Sequence, residues 1–200
     1  MTQLRGAVIG FGKLGLLHAG LISGLPESQL VAVVESSPLI RRVIGQHFPQ
    51  VAVYDNLEGL ISAGGIDLAV IATPTGSHID AATSLVEAST PVLIEKPLCL
   101  NAMQAEPLER ALARRWVPNM VGYMGRYIET FMHAKHLLSR DVLGPVRMIR
   151  SSMYIEQLLK PGEGWRFDPK ISVGGVLITQ NSHVIDKLRW LFGEILEVSG

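Results

Sequence analysis

Six residues near the N-terminus have the most definite chemical use. Gly10-Phe11-Gly12-Lys13-Leu14-Gly15 spaces its glycines as G-x-G-x-x-G, directly after the apolar run Ala7-Val8-Ile9 and at the entry to an amphipathic segment. Between a strand and a helix, Gly10 permits the tight turn, Gly12 lets a pyrophosphate approach the backbone, and Gly15 lets the helix pack closely on the strand. The helix start adds N–H groups and the positive end of a dipole. Glu35 stands 20 residues after Gly15, at the end of the next apolar run. A carboxylate there accepts both hydroxyls of a ribose and repels a 2′-phosphate, which favours NAD over NADP. Against that stand Ser36-Ser37 and Arg41-Arg42 close by, groups that could receive a phosphate.

Thr73 and Lys96 each follow a further apolar run, in Ala72-Thr73-Pro74-Thr75-Gly76-Ser77-His78 and in Glu95-Lys96-Pro97. Open α/β sheets bind ligands beyond the ends of their parallel strands, so both residues are expected to point into one crevice. An ammonium beside a cationic nicotinamide gives up its proton more readily, which suits acid–base work. His183 lies on a later helical segment with Asp186 three residues on, and is either a reacting group or a hydrogen-bonded core residue.

The elements that must position these residues alternate regularly. Strands are expected at Ala7–Ile9, Leu30–Val34, Leu68–Ala72, Val92–Ile94 and Met120–Val121. Helices are expected at Leu14–Ser23, Leu39–His47, Leu57–Ala63, His78–Ala88 and Ala102–Arg114, the last beginning near Glu106 so that Pro107 falls in its first turn. This rhythm predicts an α/β fold, a Rossmann-like doubly wound parallel sheet over residues 1–122. After Gly122 the pattern changes to a helix over Arg126–Arg140, a strand over Val146–Tyr154, a loop from Lys160 to Lys170, a helix over Val176–Phe192 and the start of a strand at Ile195–Ser199. Residues 123–200 thus read as an incomplete α+β substrate domain. One or two strands do not make an independent sheet, so the chain is expected to be a C-terminally truncated piece or to complete itself by oligomerising.

Composition excludes several alternatives. The chain has 200 residues, 48% of them hydrophobic, and a formal net charge of zero. Zero net charge argues against binding driven by nucleic acid or anionic membrane. No apolar run approaches the ~18 residues of a membrane span. A single cysteine, Cys99, forbids an internal disulfide and suits a cytoplasmic setting. It reads as a packing residue. His133 and His136 have no third ligand in the sequence, so no metal is expected.

Together with Trp165-Arg166, Gly174-Gly175 and His183-Val184-Ile185-Asp186, these motifs resemble the Gfo/Idh/MocA family of oxidoreductases over nearly the whole chain. The resemblance implies an NAD(P)-dependent dehydrogenase that transfers a hydride between nicotinamide and a hydroxyl or keto carbon of a sugar, cyclitol or sugar-nucleotide, and a homo-oligomer in full-length form. It implies catalytic roles for Lys96 and His183, and a dinucleotide cleft lined by Thr73, Pro74 and His78, with Glu95 at the nicotinamide end. Trp165 and Arg166 either close the cleft or anchor a loop. Tyr123, Arg126 and Thr179 are candidates for the substrate side. Many relatives carry an aspartate where this chain has Thr179, and threonine cannot act as a base at neutral pH. That departure leaves a second reading open, a truncated, non-catalytic dinucleotide-binding protein. A short-chain or lactate-type dehydrogenase is a third. The Glu-Lys-Pro motif and the lack of a Tyr-x-x-x-Lys pair argue against the short-chain type.

Overall fold

The computed structural model describes residues 3–142, 144–153, 177–178 and 180–199. They belong to two compact units, Met1–Gly122 and Tyr123–Gly200.

The first unit is a six-stranded sheet. Its strands are β1 (Leu4–Ile9), β2 (Ser28–Val34), β3 (Ala52–Tyr54), β4 (Leu68–Ile71), β5 (Val92–Ile94) and β6 (Asn119–Val121). They lie in the order β3-β2-β1-β4-β5-β6, and every neighbouring pair is parallel. The helices are α1 (Lys13–Gly24), α2 (Pro38–His47), α3 (Leu57–Ala63), α4 (His78–Glu87) and α5 (Ala102–Arg114). Strand order runs outward in one direction from β1 and in the other from β4. The carboxyl ends of those two strands therefore flank the switch point at which such sheets bind ligands.

Successive side chains of a strand face opposite sides, and the central strands here are apolar on both. Ala7, Ile9, Ala32, Val34, Ala69 and Ile71 join Leu60, Ala82, Leu85, Leu108 and Ala111 in one core. Val8, Val33 and Val70 join Ala19, Ile22 and Ile44 in the other. Helices α3, α4 and α5 therefore cover one face, and α1 and α2 the opposite one. Full burial of each of these Val, Leu and Ile side chains is worth roughly 1.5–3 kcal/mol.

Two local features of this unit depart from the sequence expectations. Strand β3 was not expected: it has three residues at the sheet edge, too few to show a period. Helix α5 starts at Ala102 rather than near Glu106, because Asn101 caps it through the Gln104 N–H (3.1 Å). The Gln104 side-chain oxygen in turn accepts from the Leu100 N–H (2.9 Å), so both ends of the entry turn are held. Pro107 then sits inside the helix and forfeits one N–H bond.

In the second unit, the single helix expected over Arg126–Arg140 is a 3-10 turn, Met124–Tyr127, followed by α6 (Glu129–Ser139). Ile128 separates them in extended conformation (φ −77°, ψ 126°). Helix α7 (Asn181–Phe192) forms the regular part of the expected Val176–Phe192 helix, and Gly193 ends it at φ 100°. The expected strands do not form over the described residues 146–153 or at Ile195–Ser199. A strand needs a partner for its backbone groups, and the described residues of this unit contain no other strand. Among the described residues no helix is long and apolar enough to cross a membrane, and no group of three or more His, Cys, Asp or Glu side chains could hold a metal.

Candidate active site

The sheet's ladder continues one residue past the carboxyl ends of its strands. Gly10 N–H donates to Val34 O (2.8 Å), Glu35 N–H to Tyr54 O (3.0 Å), Ala72 N–H to Ile9 O (2.8 Å), Glu95 N–H to Ile71 O (2.9 Å) and Gly122 N–H to Ile94 O (2.8 Å). Glu35, Gly10, Ala72 and Glu95 therefore stand in a row along one edge, with Thr73 and Lys96 one residue further out. This is the sheet edge beyond which the strand-end motifs were expected to meet a ligand.

The glycine turn is tightly constrained. Gly10 has φ 87°, and a Cβ there would come within 2.9–3.1 Å of Thr73. At Gly15 a Cβ would lie 1.9 Å from the Gly10 carbonyl oxygen, so only glycine lets α1 sit this close to β1. Gly12 is different: a Cβ there meets nothing within 4 Å. No protein packing demands glycine at that position, which matches a backbone kept bare for an incoming phosphate. Gly12 caps α1 without a side-chain bond, and Lys13 beside it is exposed.

Glu35 is buried at the end of β2, 8% exposed. Its Oε2 accepts from the Phe11 N–H (2.8 Å) and its Oε1 from the Ser37 N–H (2.8 Å). A carboxylate has about four acceptor sites, so two backbone donors leave capacity for a vicinal diol. Arg41, one of the groups considered for a phosphate, turns inward instead. Its Nη1 donates to the carbonyls of Glu35 (2.8 Å) and Ser36 (2.6 Å). Arg42 is exposed.

His78 was expected to line the cleft, but it is buried, with 1% exposure. Its Nδ1 lies 2.9 Å from Pro97 O and its Nε2 2.8 Å from Thr73 O. The ring ties the loop after β4 to the loop after β5. Ser77 Oγ adds bonds to Thr73 Oγ1 and Pro74 O, each 2.9 Å. Thr73 is half-buried and Pro74 exposed. The Lys96–Pro97 peptide is cis.

Glu95 has a partner that sequence reasoning missed. His18 Nε2 donates to Glu95 Oε1 at 2.8 Å, and Glu95 Oε2 accepts from the Lys96 N–H at 3.1 Å. Burial pushes the Glu95 carboxyl up, but the bond and charge of His18, with the N–H and ammonium of Lys96, outweigh it and hold the group below its ordinary value. The signal was present in the sequence. His18 lies three residues past Gly15, on the face that also carries the buried Ala19 and Ile22. A polar residue on a buried face needs a partner. Cys99 packs against the core, and burial pushes its thiol up.

In the second unit, Tyr123 and His183 meet edge to face, ring centroids 5.9 Å apart at 84°. Arg126, expected on the substrate side, grips Asp186 with Nε and Nη2 (Nε to Oδ2 3.0 Å). That bond holds the Arg126 guanidinium above its ordinary value. Asp186 thus fastens α7 to the Met124–Tyr127 turn. His136 accepts a hydrogen bond from Arg140 (3.3 Å). Thr179, Trp165, Arg166, Gly174 and Gly175 lie outside the described residues.

Residues 4–123 match the family model described as "Oxidoreductase family, NAD-binding Rossmann fold", and residues 131–200 match the "GFO/IDH/MocA C-terminal domain". The chain belongs to the Gfo/Idh/MocA oxidoreductase family. Among curated relatives, it is 30% identical to a scyllo-inositol 2-dehydrogenase (NAD(+)) of Bacillus subtilis over 206 residues, covering 99% of this chain and 57% of the relative. It is 27% identical to the scyllo-inositol 2-dehydrogenase (NADP(+)) IolW of the same organism, covering 96% and 53%. The fold is that of the WlbA dehydrogenase from Bordetella pertussis, solved with NADH and UDP-GlcNAcA, at a TM-score of 0.81 and 23% identity over 96% of this chain and 56% of that one. The chain spans about half the length of the curated relatives it matches. Within this NAD-binding family the glycine turn, the bare backbone at Gly12 and the Glu35 carboxylate fit a dinucleotide.

Proposed function

We propose that this chain carries the dinucleotide-binding unit and part of the substrate unit of an NAD-dependent dehydrogenase acting on a hydroxyl or keto carbon of a cyclitol or sugar-like substrate. The observation that carries this reading is the row of strand ends that gathers the glycine turn, Glu35, Thr73 and Glu95-Lys96 along one edge. The named substrates of the inositol dehydrogenase relatives support the substrate class.

In this reading Gly10–Gly15 and the start of α1 hold the pyrophosphate, Glu35 takes the adenosine ribose, and Thr73 and Pro74 flank the dinucleotide. Support for NAD over NADP comes from the buried carboxylate of Glu35 and from Arg41, whose Nη1 is turned onto backbone carbonyls. When bound, the nicotinamide supplies hydride transfer. The Lys96 ammonium stabilises negative charge building on the substrate oxygen. His183 exchanges the hydroxyl proton through its imidazole, with the ring of Tyr123 against it. Tyr123 and Thr179 are assigned to the substrate side. Arg126 holds Asp186 instead.

A second reading, dinucleotide binding without turnover, is favoured by threonine at position 179. One experiment separates the two. Titration with NADH and NADPH, followed by nicotinamide fluorescence, is expected to show saturable binding that is tighter for NADH and is lost in Gly12→Val. A turnover screen of inositols and sugars then follows, with Lys96→Met and His183→Ala as controls. Binding without turnover selects the second reading. A folded chain that binds neither nucleotide sinks both.

A further inference from the structure

We infer that His18 is a positioning residue for Lys96, acting from α1 through the Glu95 carboxylate. The inference rests on the dehydrogenase reading for what Lys96 does, and on geometry for how Lys96 is held.

Lys96 sits between two tethered neighbours. On its C-terminal side, the Pro97 carbonyl lies 2.9 Å from Nδ1 of the buried His78. On its N-terminal side, the Glu95 side chain folds back, and one oxygen takes the Lys96 N–H while the other takes His18 Nε2. A carboxylate that accepts from both groups fixes the orientation of the peptide from which Lys96 projects. The side chains of His18 and Glu95 are 16% and 15% exposed, so water competes weakly for either partner. Removing His18 leaves a poorly solvated carboxylate with one local donor, a state expected to swing toward solvent.

The link joins two parts of the cofactor site. His18 is less than one turn beyond Gly15 on α1, whose close approach to the Gly10 carbonyl admits no Cβ. The turn proposed to seat the pyrophosphate and the lysine proposed to act at the reacting carbon are then connected through one helix turn and one carboxylate. His18 touches neither substrate nor reacting atoms in this scheme. Its contribution is the alignment of Lys96, and misplacement by about 1 Å can cost on the order of a hundredfold in rate.

The test uses the whole chain with its lysines ¹³C-methylated and the Lys96 resonance assigned with Lys96→Arg. Wild type, His18→Ala, His18→Gln and Glu95→Gln are compared for the Lys96 signal and its pH titration, for NADH Kd, and for kcat and KM on inositols. His18→Ala and Glu95→Gln are expected to move the Lys96 signal and to lower kcat roughly tenfold to a hundredfold, with NADH Kd changed less than about twofold in His18→Ala. His18→Gln keeps a side-chain N–H and is expected to recover most of both. An unmoved Lys96 signal in folded His18→Ala and Glu95→Gln overturns the inference. If wild type turns over no substrate, the dehydrogenase reading fails on its own, and the Lys96 signal still decides whether His18 holds that residue.

Discussion

At the scale of single residues, the glycines of the turn have separable roles. Gly15 is fixed by packing, whereas packing leaves Gly12 open, and the proposed pyrophosphate seat accounts for the glycine there. Gly15→Ala forces a methyl to 1.9 Å from the Gly10 carbonyl oxygen, so β1 and α1 must part. Overpacking of this kind typically costs about 1–3 kcal/mol. We expect Gly15→Ala to fall at or above the top of that range in urea denaturation, and Gly12→Val to cost about 1 kcal/mol, the loss of a favoured N-cap residue, while losing NADH binding. Equal stability losses would mean that Gly12 also serves the fold. Residues of this kind were legible because a spacing of glycines, or an acid at a strand end, is local in sequence. His18–Glu95 and Arg126–Asp186 span 77 and 60 residues. Nothing local names the partner in such a pair. Sequence could say only that His18 lay on the buried face of its helix.

The secondary-structure elements follow the same division. Each central strand carries apolar residues on both faces, and its run was readable without the fold. Strand β3 and the start of α5 were not. The first has only the pairing Ala32–Val34 with Ala52–Tyr54 to define it. The second is set by Asn101 and Gln104, whose capping bonds outweigh the preference of Pro107 for a first turn. Asn101→Ala should therefore cost about 1 kcal/mol. It should also raise amide exchange over Ala102–Glu106 without disturbing Leu108 and Ala111, which are anchored in the core. If the entry turn is unaffected, the cap is not what moves the helix start away from Pro107. The segments at 146–153 and Ile195–Ser199 have strand-like composition but pair with no strand among the described residues. Composition favours an extended chain, but a partner must supply the ladder.

The two units of the molecule differ in how their side chains are buried. Every buried hydrophobic residue among those described lies between Ala7 and Val117, in the sheet unit. In the second unit the buried residues among those described are Gly125 and Asp186, while Leu196 and Val198 are 98% and 84% exposed. Its described contacts are largely polar or cation–aromatic. Arg126 holds Asp186, Lys135 reaches the Trp190 carbonyl, and Lys187 stands 4.3 Å from the centre of the Phe131 ring. Such contacts are weaker than a two-sided aliphatic core. Local opening should follow that difference. In hydrogen exchange of the whole chain, amides of β1, β2 and β4 should be the last to exchange, and those of α6 and α7 should exchange roughly a hundredfold faster. The proposed dinucleotide-binding residues then sit on the rigid unit, and Tyr123 and His183 on the yielding one. NADH binding should accordingly persist at urea concentrations where the α7 amides have lost protection. Simultaneous loss of the two signals would show that the units unfold as one body, and would remove the basis for treating cofactor binding as a property of Met1–Gly122.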